Sequence, residues 1–150
     1  MHRLSGFVVA GALVLLAPTQ SAFAQAAAAQ KTTFNGEIAL WSFAIKADQT
    51  AAYEQVIAKL KAALQKSEKP EAKQMLASWK VMKGATVPQG VVYTHILHPV
   101  VKDADYTIMS IIYEAFPDPT ERNATYELYR GAFSAALGAN VGTIVADFSK

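Results

Sequence analysis

The chain has 150 residues, 52% of them apolar, with 14 basic against 12 acidic side chains and no cysteine. Charge this balanced leaves no electrostatic footprint for nucleic acid or an anionic membrane. The lack of cysteine excludes a disulfide scaffold, an iron–sulfur protein, a thiol enzyme and a cysteine-anchored lipoprotein.

Residues 1–24 have the three parts of a cleaved export signal. His2 and Arg3 give a positive start, and Phe7 to Leu16 an apolar core that ends before Pro18. Ala22-Phe23-Ala24 places small residues where a signal peptidase reads, so cleavage is expected between Ala24 and Gln25. The run is too short to span a bilayer, which takes roughly 20 apolar residues. No membrane anchor is then expected after cleavage, and the mature chain belongs in the periplasm or outside the cell. Gln25 to Thr33 is alanine-rich and without apolar period, and 25–35 reads as a flexible leader.

Glu37 to Ile45 is apolar on both faces, the pattern of a strand buried on both sides. Asp48 stands where a helix N-cap is wanted. Tyr53, Val56, Ile57, Leu60 and Leu64 then form one helical stripe, predicting a helix over 49–66 that ends before Pro70. Residues 71–85 carry two patterns at once. Met75, Leu76, Trp79 and Met82 suit a helix, while Ala77, Trp79 and Val81 alternate as in a strand. A strand over 75–83 is favoured, because 84–90 is a hairpin-like link into a β-branched strand from Val91 to His98. Tyr106 to Phe116 is two-faced and its β-branched content allows a strand, but Asp105 as a cap, with Ile108, Met109, Ile112 and Phe116 at helical spacing, favours a short helix. Asp118-Pro119-Thr120-Glu121 is a strong helix start. Its buried stripe is read as Leu128, Tyr129, Ala132, Phe133, Ala136 and Leu137, with exit at Gly138 and Asn140 and a last strand from Val141 to Phe148.

A helix after the first strand and another before the last, around a hairpin, is the split βαβ order of a ferredoxin-like sheet. The expected fold class is α+β: a four-stranded antiparallel sheet with its helices on one face, spanning one domain over 36–150. The opposite face cannot be polar, and the expected remedy is a homodimer packed sheet to sheet. In element order, length and the strand end Tyr93-x-His95-Ile96-Leu97-His98-Pro99, residues 36–148 resemble the dimeric α+β barrel superfamily, which includes antibiotic-biosynthesis monooxygenase-like domains. The resemblance is architectural, and no catalytic residue of a named member maps onto this chain.

His95 and His98 are the histidines left after the signal, and three apart on a regular strand they face opposite ways. No metal or other cofactor is expected. His95, on one face with Tyr93 and Leu97, is read either as a proton-transfer or anchoring residue in an apolar pocket or as a bonded core histidine. Trp41, Phe43, Trp79 and Tyr93 lie on neighbouring strands and either line a ligand cavity beside it or pack core and interface. There is no phosphate loop, nucleophile elbow or zinc-protease motif, so the catalytic residues are unassigned. The leading expectation is an exported homodimer that binds an apolar or aromatic small molecule. The alternatives are a cofactor-independent monooxygenase or isomerase using His95 for proton transfer, and a structural or interaction protein of the envelope.

Overall fold

The computed structural model describes residues 31–148. The export signal, its expected cleavage point at Ala24 and Gln25, and the first part of the leader lie outside the described residues. Four strands are present: β1 (Ile38–Ile45), β2 (Trp79–Val87), β3 (Gly90–Leu97) and β4 (Phe133–Gly142). The helices are α1 (Thr50–Lys66), α2 (Pro70–Ser78), α3 (Ile108–Ala115) and α4 (Pro119–Ala132). The strands form one antiparallel sheet in the order β2-β3-β1-β4, so the chain folds as α+β. That order is compatible with a ferredoxin-like sheet, in which each crossover skips one strand.

Register sorts the sheet residues into two faces, since directly opposed residues point the same way. One face carries Ala39, Trp41, Phe43 and Ile45 of β1 opposite Leu97, His95, Tyr93 and Val91 of β3. The core packs on this face, with Tyr53, Val56, Leu60 and Ala63 of α1, Ile108 and Ile112 of α3 and Ala132 of α4. A second cluster joins Leu97 to Leu64, Ala72, Met75, Ala104 and Tyr106. The other face includes the rows Asn140-Leu40-Ile96-Lys80, Gly138-Ser42-Thr94-Met82 and Ala135-Ala44-Val92. Lys80, on the edge strand, is the one charge in these rows.

The hairpin between β2 and β3 depends on Gly90. Its φ is +133°, and a Cβ there would lie 2.2 Å from the Ile45 carbonyl oxygen. No other residue can bring the backbone that close to β1. At α4 the cap read from the sequence is formed, with the Asp118 carboxylate accepting from the Glu121 N–H at 2.8 Å.

Four local expectations are corrected. Asp48 does not cap α1: it sits inside a 3-10 turn over Ala47–Gln49 and makes no capping bond. Residues 70–87 use both of their patterns in succession. Pro70 opens α2, whose buried side is Ala72 and Met75, and the strand starts at Trp79 rather than at 75. The buried stripe attributed to the last helix stops at Ala132, and Leu128 on it is exposed. Phe133 to Gly142 is strand β4 instead of helix followed by exit, because pairing with β1 outweighs the helix preference of Ala135, Ala136 and Leu137. Asp105 likewise caps no helix, since Thr107 occupies the N-cap position of α3.

Candidate aromatic site

His95 stands in mid-strand on β3, in the row of Trp41 and Val81, and its side chain is fully buried. Trp79, one row along on β2, reaches diagonally to donate its indole N–H to His95 Nδ1 at 2.9 Å. An indole nitrogen can only donate, so Nδ1 must be bare and the ring's proton sits on Nε2. Nε2 is 2.7 Å from the hydroxyl of Tyr53, on α1, and with this tautomer it donates to that oxygen. Both ring nitrogens are thereby spent on protein partners. Burial pushes the imidazole down from 6.5 to about 4, which keeps it neutral across the physiological range. Burial also raises the Tyr53 hydroxyl above its ordinary value, with Tyr129 and Tyr93 adding to it.

Rings surround this neutral pair. Trp41, Phe43 and Trp79 lie with centroids 5.7, 5.4 and 5.6 Å from the His95 ring, and Tyr53 meets Tyr93 edge-on at 4.9 Å. The structure thus brings Trp41, Phe43 and Trp79 to His95 and holds Tyr93 one row further along β3. Tyr93 turns its hydroxyl outward to donate to Glu54 at 2.6 Å, and Lys83 donates to the same oxygen at 2.9 Å. The bond from Tyr93, helped by Lys83, holds the Glu54 carboxyl below its ordinary range. Trp41 and Trp79 remain half-buried, which distinguishes them from the enclosed histidine.

Two further rings close the layer. Phe34 packs on Trp41 at 5.7 Å and on Tyr106 at 5.5 Å, and Tyr106 meets Trp79 edge-on at 5.3 Å. Phe34, Trp41, His95, Trp79 and Tyr106 therefore form a closed circuit of neighbouring rings. Compared with protein-family models, with curated proteins and with solved structures, the chain gives no match.

Tyr53, Phe34 and Tyr106 belong to this layer but were not singled out as site residues in the sequence. Tyr53 reads there only as the first member of a helical stripe. Phe34 did carry a signal, being one large aromatic in a stretch of small and polar residues. His98 lies apart, exposed, with Nε2 4.0 Å from the Glu37 carboxylate. A cleft of about 850 Å³ opens between the end of α1, α2, α3 and the 102–105 loop, floored by Leu64, Met75 and Ile111. None of His95, Trp41, Phe43, Trp79 and Tyr93 lines it.

Proposed function

We propose that this chain is an exported, homodimeric member of the dimeric α+β barrel superfamily that binds an apolar or aromatic small molecule through the layer between its sheet and helices. The observation that carries this reading is the ring circuit, whose Trp41 and Trp79 are half-buried while its only imidazole is enclosed and neutral. Flat aromatic walls with few polar tips suit an apolar guest. The bonds that occupy both nitrogens of His95 favour binding over proton transfer, because a shuttle needs one nitrogen facing the substrate.

The homodimer rests on the outer face of the sheet. Leu40, Val92, Ile96 and Met82 give it an apolar surface, and Met82 is half exposed. Ser42 and Thr94, in the middle of the face, bond each other at 2.9 Å. That bond gives one of the two O–H groups its acceptor, and the other needs an acceptor across the interface if a second sheet dries this surface. Export rests on the signal pattern of residues 1–24.

The test is a thermal-shift screen of the protein beginning at Gln25 against toluene, indole and 1-naphthol. A ligand that binds only the folded state raises the melting temperature by mass action. At least one of these should do so, and Trp41→Ala should abolish the gain. Melting that none of the three compounds moves would contradict the reading.

A further inference from the structure

The segment before β1 lies across the ring circuit and is tied down at its two ends: at Glu37, whose N–H donates to the Gly142 carbonyl and whose carbonyl accepts from the Val100 N–H, both at 2.9 Å, and at Thr32. The Thr32 N–H is shared between Asp105 Oδ1 and Thr107 Oγ1, both at 3.1 Å. Its carbonyl accepts from the Tyr106 N–H at 2.7 Å, and its hydroxyl accepts from the Thr107 hydroxyl at 3.2 Å. Two residues on, Phe34 sets its ring between Trp41 and Tyr106. Gly36 then lets the backbone pass close beside the end of β4, where a Cβ would stand 2.5 Å from the Val141 side chain. Phe34 is only half-buried, so the strap is a thin cover and not part of the interior.

The anchor of this strap is also the margin of the cleft. Lys31 and Asp105 line the cleft, and its apolar lining residues Leu64, Ala72, Met75 and Ala104 belong to the cluster that contains Tyr106 and against which Phe34 and Trp79 pack. The cleft and the ring circuit are thus two parts of one apolar region, and the strap runs along the boundary between them.

We propose that Thr32–Gly36 is a releasable strap in which Phe34 occupies the place of an aromatic ligand. On this account release of Thr32 from Asp105 and Thr107 opens the circuit towards the cleft, and a planar aromatic guest takes the slot between Trp41 and Tyr106. The inference deepens the binding reading and rests on it for the guest, but not for the movement of the strap. The free protein is mostly closed, so its apparent affinity is reduced by the fraction that is open. Weakening the strap must then tighten binding although no contact to the guest is gained.

Two measurements separate the strap from the guest. Amide hydrogen exchange without ligand should find the Tyr106 N–H, bonded to Thr32, exchanging at least about tenfold faster than the Tyr93 and Leu97 amides of β3, by a local opening that Thr107→Val accelerates. Calorimetry with 1-naphthol should find Phe34→Ala and Thr107→Val each binding at least about fivefold tighter than the unaltered chain. Thr107→Val removes the hydroxyl and keeps the Phe34 ring, so it carries the test if Phe34→Ala does not fold. Exchange of Tyr106 only as slow as the β3 core would overturn the strap whatever binds. Binding of 1-naphthol that neither variant tightens would also overturn it and leave the binding site standing. Fast exchange at Tyr106 with no naphthol bound by any variant would sustain the moving strap and overturn Phe34 as a ligand's stand-in.

Discussion

Trp79 can only donate to His95, so protonating Nδ1 would set two N–H groups against each other and place a cation in an apolar layer. Burial is what holds the folded imidazole near 4, against 6.5 when the chain is unfolded. Below 6.5 the unfolded chain therefore binds a proton that the folded one refuses. Stability should be constant in this respect above that pH and fall by about 3 kcal/mol as pH drops from 6.5 towards 4. Denaturant melts across that window check the slope, and His95→Gln should flatten it. At neutral pH His95→Ala should cost about 2–4 kcal/mol, from the cavity and from the orphaned indole N–H of Trp79. A fall in melting temperature on the order of 10 °C would register it. Residue types and alternation were enough to place Trp41, Phe43, Trp79 and Tyr93 beside the histidine's strand. What a sequence could not supply was the partner from α1, because Tyr53 is one apolar residue of a stripe until the helix is docked.

The same limit appears among the elements. Two strong signals held, Asp118 before Pro119 opening α4 and β-branched residues making β3, while the weaker one of a lone Asp48 did not. Where local propensity and pairing disagreed, pairing decided. Phe133 to Leu137 continue a helical stripe in the sequence, yet β1 offers a ladder for their backbone, and the helix ends at Ala132. In 70–87 both patterns were real and the error lay in choosing one. Three substitutions at two positions test the elements as described. Asp118→Ala should cost about 1 kcal/mol by freeing the Glu121 N–H, with Asp118→Asn recovering most of it. Gly90→Ala should cost more than about 2 kcal/mol, since its Cβ meets the Ile45 carbonyl and its φ suits only glycine. Chemical denaturation of the three variants gives the order directly.

On the proposed reading of the whole molecule, the outer sheet face pairs two copies and the inner layer takes a guest. Leu40 and Ile96 lie opposite each other on the outer face, one row from Ser42 and Thr94. In a sheet-to-sheet dimer Ile96→Lys would bury an unpaired charge in the interface. Sedimentation should give twice the chain mass for the unaltered protein and a monomer for this variant. The inner layer permits a sharper test, because both tryptophans of the chain, Trp41 and Trp79, are members of its ring circuit. Their emission reports on this layer and on nothing else in the molecule. The deciding measurement is that emission during titration with 1-naphthol, which accepts energy from an excited indole nearby. Naphthol bound in this layer should give a saturable loss of emission that survives in Trp41→Phe and in Trp79→Phe with altered amplitude. Emission that falls only in proportion to free naphthol, without saturating, would contradict a binding site in this layer.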